Sequence, residues 1–158
     1  MAKKKSSKDR VQEALVALGL ESEVVTMPAT TRTAEDAAKA CGCEVAQIVK
    51  SLIFERHDTH QLVLLLIAGN NRADMDLAAK VIGSTLDRAD PKKVRAETGF
   101  AIGGVAPVGH LCEMAVYMDP DLMAFDDVWA AAGAPNAVFR IDPHSLSQAT
   151  KAEPLAPS

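Results

Sequence analysis

The sequence predicts one mixed α/β domain of the α+β class, in which a single β-sheet is surrounded by helices. Its length of 158 residues suits one hydrophobic core rather than two. With 48% hydrophobic and 24% charged residues, the composition is typical of a packed globular domain, which argues against a collagen-like or disordered chain. Helical and strand patterns are interleaved irregularly, and this favours a mixed sheet over a regular α/β alternation.

Helical spacing and capping residues predict the helices in chain order. Apolar residues three and four apart indicate a first helix over 9–18, ended by Gly19. Thr33 is a suitable N-cap for a second helix, which Gly42 ends. Shorter helices are expected over 76–82 with Asp76 as cap, over 91–97 with Pro91 in the first position, over 125–132, and from residue 143 onward.

Two apolar runs joined by a polar turn give the strongest strand signals. Residues 49–56 and 62–68 flank the turn 58–61, so the pattern predicts a β-hairpin. Weaker strand signals occur over 21–27, 114–118 and 137–141.

Charge is unevenly distributed along the chain. Residues 1–10 carry a net charge of +4 within a total of −4, so the remaining residues carry −8. We expect residues 1–8 to form a disordered basic arm, 9–150 the folded domain and 151–158 a flexible tail. A general nucleic-acid-binding face is not expected from these totals, and any contact with a nucleic acid should be local.

The sequence argues against a membrane or secreted protein. Its longest apolar run, Leu62–Ala68, has seven residues, whereas a membrane crossing needs about 20. No apolar stretch follows the basic start, so no secretory signal is expected. Three cysteines do not make a disulfide framework. We therefore expect a protein of the reducing cytoplasm, and the sequence leaves its oligomeric state open.

Lys50 is the first candidate functional residue. In a strand it shares one face with Leu52 and Phe54, and a cation on an apolar face needs either water or an anionic partner. Lys50 could reach water from the beginning of the strand. Alternatively, it could hold a phosphate or carboxylate at the rim of a pocket.

The second candidate is the segment Gly103, Gly104, Val105, Ala106 and Pro107. Glycines let a ligand approach backbone amides closely, and exposed N–H groups can hold an oxyanion or position a water. The same residues could instead form a tight connection between strands.

Other chemistries have weaker support. Cys41 and Cys43, with His110 and Cys112, offer four ligands, but neither pair has the spacing usual in structural zinc sites. No nucleophile elbow, zinc-protease helix or phosphate loop is present in the sequence. By elimination, any chemistry depends on the backbone, a lysine and the substrate itself.

Three segments in this order resemble the YbaK/prolyl-tRNA editing family. They are QIVKSLIF over 47–54, Ala-Asp-Pro over 89–91 and TGFAIGGVAPVG over 98–109. The resemblance covers about residues 10–150. It implies a mixed, partly barrel-like sheet surrounded by helices, and hydrolysis of the ester that joins a wrong amino acid to the 3′ end of tRNA.

The resemblance also implies roles for individual residues. Lys50 would be needed for activity and would hold the substrate near the terminal adenosine. The loop from Gly103 to Pro107 would present backbone groups to the aminoacyl moiety, and Gly133 would lie near the same pocket. Synthetase-inserted members carry a histidine in this late segment. None occurs between residues 129 and 140, which favours a free-standing enzyme.

The implied partner is tRNA, with tRNA-Pro carrying a small non-cognate amino acid as the expected substrate. No metal or other cofactor is implied, because an aminoacyl ester is already activated and positioning can suffice. Binding could be aided by the basic arm or by prolyl-tRNA synthetase as a partner. A non-catalytic binding module of the same fold and a metal-dependent hydrolase remain alternatives, and the amino acid removed is left open.

Overall fold

In a computed structural model, the chain forms an eight-stranded mixed sheet with helices packed on it. The structure describes residues 6–28, 33–101, 104–134 and 136–156. Within these ranges the α-helices are α1 (Ser7–Ala17), α2 (Ala34–Cys41), α3 (Met75–Ile82), α4 (Pro91–Thr98) and α5 (Pro143–Thr150), and short 3-10 helices span Val45–Gln47 and Pro120–Ala124. The strands are β1 (Val25–Thr26), β2 (Ile48–Arg56), β3 (Leu62–Ala68), β4 (Leu86–Arg88), β5 (Ala115–Met118), β6 (Val128–Ala131), β7 (Ala137–Ile141) and β8 (Glu153–Pro154).

The sheet is organised around the β2–β3 hairpin, and its order is β1-β7-β6-β2-β3-β5-β8. β3 lies antiparallel along one edge of β2. The other edge of β2 forks: β6 pairs with Ile48 and Val49 in parallel, and β4 pairs with residues 54–56 in antiparallel orientation. Along residues 50–53 of that edge, no described strand is paired, and this opening positions the candidate site.

Apolar residues bury both faces of the sheet. Every residue of β3 is buried, because alternate side chains enter cores on opposite faces. Leu62, Leu64 and Leu66 belong to the larger core, which also contains residues of α1, α4 and α5. The other face packs against α3. This two-sided burial explains the continuous apolar run that the sequence shows.

Most predicted elements are confirmed with shifted ends. The hairpin, the helix begun by Thr33 and the helix begun by Pro91 form as expected, and so does the mixed α+β class. The N-cap of α3 is Asp74 instead of Asp76, since the Asp74 carboxylate accepts a hydrogen bond from the Leu77 N–H at 3.1 Å. Among the described helices, none combines the length and apolar character required to cross a membrane.

The helix predicted over 125–132 is wrong. Residues 128–131 form β6, in which Val128 and Ala130 are buried while Trp129 and Ala131 are only partly covered. β6 pairs with β7 as well as with β2, so long-range pairing decides the structure of this alanine-rich segment.

The two ends of the chain also differ from the simple expectation of loose segments. α1 begins at Ser7, where Ser6 and Asp9 form a capping box. Near the other end, β8 pairs with β5, and Leu155 is buried. Burial of this leucine and the strand pairing hold residues 153–155 against the sheet. Residues 1–5 and 157–158 lie outside the described ranges.

Candidate active site

A cavity of about 390 Å³ opens at the fork of the sheet. Its floor is formed by residues 48–53 of β2, and its walls come from β6, α2, Val138 of β7 and Val105. This volume lies in the lower part of the range for small-ligand pockets. None of the described lining residues is an aspartate, glutamate, histidine or cysteine. The described lining therefore offers a cation and hydroxyl groups, but no side chain suited to act as general base.

Lys50 lies in this cavity and is held from one side. Its ammonium group donates a hydrogen bond to the backbone carbonyl of Asn71. The Asn71 amide nitrogen in turn donates to Asp119 at 2.9 Å and to Asp121 at 2.7 Å. Asp119 is 8% exposed and also accepts from the Ala68 N–H at 3.1 Å. A buried carboxylate thus anchors the turn whose carbonyl orients the lysine.

The open edge of β2 offers polar groups to the cavity. Across the hairpin, the Arg56 N–H donates to the Gln61 carbonyl at 2.8 Å. Because backbone groups of successive strand residues alternate between edges, those of Ser51 and Ile53 face the unpaired edge. The Ser51 hydroxyl is buried and has no hydrogen-bond partner among the described residues. A buried polar group without a partner is costly, so a bound ligand that completes its hydrogen bond would gain affinity.

The loop that the sequence singled out forms part of the opposite wall. Val105 lines the cavity, whereas Ala106 is fully buried in the larger core and Pro107 borders a second cavity. The Gly104 N–H donates to the Ala101 carbonyl at 3.0 Å, which closes a turn. Gly103 lies outside the described residues.

Gly133 supports this loop from behind. A Cβ placed on Gly104 would lie 3.7 Å from the Gly133 carbonyl carbon, so the two backbones are in close proximity. Gly133 adopts a φ of +88°, in the left-handed region. Its missing side chain lets Ser7 and Phe100 approach, since a Cβ there would lie 2.9 Å and 3.0 Å from them.

The cysteine and histidine pairs considered as zinc ligands do not form a cluster. In the described part of the chain, no group of three or more His, Cys, Asp or Glu residues is arranged to hold a metal ion. Burial and the neighbouring Cys43 raise the pKa of the Cys41 thiol to about 11, so Cys41 stays protonated at neutral pH.

The structure brings Lys50 and Val105 together and adds two residues that the sequence analysis missed. Ser51 was overlooked because a serine within an apolar strand carries no signal of its own. Trp129 forms a cavity wall, with the Arg140 guanidinium 5.9 Å from its ring centroid. It was assigned to a helix, so its position opposite β2 could not be foreseen.

With this geometry established, comparison with known proteins identifies the class. The family model for the aminoacyl-tRNA editing domain matches residues 28–149, and the chain belongs to this family. This confirms the family expected from the sequence and its activity class, the hydrolytic editing of aminoacyl-tRNA. The substrate is therefore an aminoacyl-tRNA.

Individual relatives resemble the chain over most of its length. A solved structure proposed to be a trans-editing enzyme for prolyl-tRNA synthetase superposes with a TM-score of 0.89 and 46% identity, covering 96% of each chain. The Bacillus subtilis protein YwhH is 32% identical over 128 residues, which are 81% of each protein. EbsC of Enterococcus faecalis, a proposed Cys-tRNA(Pro)/Cys-tRNA(Cys) deacylase, is 25% identical over 77% of this chain and 74% of its own.

Proposed function

We propose that this protein removes a small non-cognate amino acid from tRNA-Pro, acting in trans in the cytoplasm. The observation that carries the proposal is the cavity at the fork of the sheet, which combines one cation, Lys50, with the loop wall at Val105. The proposed prolyl trans-editing role of a relative at 46% identity, and the proposed Cys-tRNA(Pro) specificity of another, support proline tRNA as the substrate.

Lys50 binds and orients the 3′ end of the tRNA in this proposal. An ammonium group on an apolar strand face attracts the phosphate and carbonyl oxygens of an aminoacyl nucleotide. The Asn71 carbonyl occupies one of its three N–H groups. The remaining N–H groups are directed by that fixed contact, so the lysine is preorganised.

Hydrolysis proceeds without a side-chain base from the described cavity lining. Water adds to the ester carbonyl carbon, and the bond between that carbon and the ribose oxygen breaks. The ribose oxygen takes up a proton from the attacking water and becomes a hydroxyl as the amino acid leaves. The substrate's own hydroxyl or amine assists the proton transfer, because no lining carboxylate, imidazole or thiol is described. The charge of Lys50, with loop N–H groups other than that of Gly104, which donates to the Ala101 carbonyl, stabilises the developing oxyanion.

The Gly103 to Pro107 loop, with Gly133 behind it, forms the aminoacyl end of the site in this proposal. The wall at Val105 limits the size of the amino acid, and the Ser51 hydroxyl supplies a hydrogen bond from the floor. No cofactor is needed for these steps.

Recognition of the tRNA body is assigned to the chain's basic arm and to prolyl-tRNA synthetase as a partner. The net charge of −8 outside residues 1–10 disfavours a broad RNA-binding face. Contact at the 3′ end and a few cations elsewhere would therefore supply the affinity.

A panel of proline tRNA charged with alanine, cysteine, serine, threonine or 2-aminobutyrate tests the proposal. We expect metal-independent release of at least one of these, with prolyl-tRNA spared. Binding of the charged tRNA without turnover would support the binding-module alternative. Loss of activity with a chelator and its recovery with zinc would support the metal-dependent hydrolase.

A further inference from the structure

Three side chains form a stack behind the loop wall of the cavity. The Phe100 ring, 1% exposed, lies beneath the Arg10 guanidinium at 4.9 Å from its centroid. The His110 ring meets Phe100 edge-on, with centroids 5.6 Å apart and planes at 85°. Arg10 also donates to the Gly99 carbonyl at 2.6 Å. The stack therefore connects α1 to the segment that precedes and follows the loop.

His110 also contacts the loop itself. Its Nε2 lies 2.6 Å from the carbonyl oxygen of Ala106. A carbonyl can only accept, so the proton is on Nε2 and the histidine donates. Burial lowers the pKa of His110, which keeps the ring neutral at pH 7. The contact is then a hydrogen bond between neutral groups, in which the carbonyl of Ala106 is fully buried and His110 is half-buried.

The Ala106 carbonyl determines how the peptide between Ala106 and Pro107 is oriented. The next residue is Pro107, which has no N–H, so this carbonyl is the only polar group of its peptide unit. Its hydrogen bond with His110 fixes the plane of that peptide. Val105, whose side chain forms the cavity wall, lies one residue upstream.

We propose that His110 is a positioning residue that holds the Val105 wall in place and thereby sets the size limit for the amino acid. The proposal rests on the function proposed above. A pocket separates ligands that differ by one methylene only if its wall does not yield, and such discrimination reaches about 10- to 200-fold. Loss of the His110 hydrogen bond would let the loop move outward and accept a larger side chain.

Because Nε2 of His110 makes the hydrogen bond to Ala106, glutamine and asparagine are the informative substitutions. His110→Gln places an amide N–H at a distance from the backbone similar to that of Nε2, so it can restore the hydrogen bond. His110→Asn is shorter and reaches only as far as Nδ1 does. Both variants remove the ring and its contact with Phe100, so a difference in selectivity between them, with Tm recorded to follow the methylene by which they differ, reports on the hydrogen bond. His144→Gln is the matched control, because His144 is exposed on α5.

The experiment compares alanine with 2-aminobutyrate, which differ by one methylene. For each variant, kcat/KM is measured on proline tRNA charged with alanine and on proline tRNA charged with 2-aminobutyrate. The affinity for the non-hydrolysable 3′-aminoacylamino-adenosine analogue of each amino acid is also measured, and Tm is recorded. We expect His110→Asn to reduce the selectivity ratio by about 3- to 10-fold, the worth of one hydrogen bond. His110→Gln should stay within about twofold of wild type, as should His144→Gln.

A ratio in His110→Asn equal to that of wild type would overturn the proposal. An equal reduction of the selectivity ratio in His110→Gln would also overturn it, because the ring contact with Phe100, rather than the hydrogen bond to Ala106, would then hold the wall in place. A fall in Tm with an unchanged ratio would reduce His110 to a structural residue. If the wild-type protein hydrolyses neither ester, the affinity ratio of the analogues still decides the role of His110, whereas the proposed function fails only if none of the five charged tRNAs of the panel is hydrolysed.

Discussion

Gly133 and Gly104 lie against each other behind the cavity wall, and their backbones tolerate a side chain very differently. At Gly133, φ is +88° and an added Cβ would lie 2.9 Å from Ser7 and 3.0 Å from the Phe100 ring. The left-handed conformation costs an L-residue about 1–2 kcal/mol, and overpacking costs about 1–3 kcal/mol. At Gly104, the nearest contacts of an added Cβ would be 3.7–3.8 Å, which is ordinary van der Waals distance.

We therefore expect Gly133→Ala to destabilise the protein by about 2–5 kcal/mol, which is a fall in Tm of about 4–20 °C. Gly104→Ala should melt at the wild-type temperature or slightly above it, since alanine restricts the unfolded chain. Differential scanning calorimetry of both variants, beside deacylation rates, makes the comparison. A Gly133→Ala variant that melts like wild type would refute the argument from φ and close approach.

The same assay tests whether the loop faces the aminoacyl group. Gly104→Val introduces a larger side chain, which pushes the loop away from Gly133. We expect this variant to deacylate more slowly than wild type while its Tm falls only slightly. Unchanged rates in both Gly104 variants would show that this loop does not contact the substrate.

Three further predictions concern the floor of the cavity and the stack. Ser51→Ala should leave Tm unchanged or higher, because the hydroxyl has no described partner, while deacylation falls about 3- to 10-fold for one lost hydrogen bond; a normal rate would contradict its role. Asn71→Ala should weaken binding of an aminoacyl-adenosine analogue in the wild-type background but not in Lys50→Ala, since it acts through the lysine; equal losses in both backgrounds would contradict this. Burial and the Arg10 charge hold the pKa of His110 below its ordinary value, so its contribution to stability is present above about pH 6.5 and is lost as pH falls below it. Urea denaturation from pH 7 to 5 should show a steeper loss for wild type than for His110→Gln, and equal slopes would contradict the shift.

Local signals in the sequence were sufficient for the elements that they dominate. The β2–β3 hairpin could be predicted because two apolar runs flank a polar turn, and α2 because Thr33 and Gly42 mark its ends. Asp74 and Asp76 are equally good caps by residue type, so only the structure distinguishes them.

Long-range pairing explains what the sequence did not reveal. The segment around Trp129 has alanines that suit a helix, but it forms a strand because it pairs with β2 and β7. β4 and β8 are too short to show a period of their own. The fork in the sheet arises from these pairings, so the cavity and the unpaired edge at Ser51 could not be predicted. The position of Lys50 on a strand face could be predicted from the alternation of β2.

The identity of Lys50 as the group that holds the substrate is the central claim, and substitution of this residue tests it most directly. Lys50→Ala should lower kcat/KM by at least about 100-fold for the charged tRNA-Pro of the panel that the wild-type protein deacylates fastest, the scale of losing one preorganised electrostatic contact. Its Tm should remain near that of wild type. Lys80→Ala, which removes an exposed cation from α3, should keep wild-type kcat/KM and control for net charge. A folded Lys50→Ala protein with wild-type kcat/KM would contradict the account.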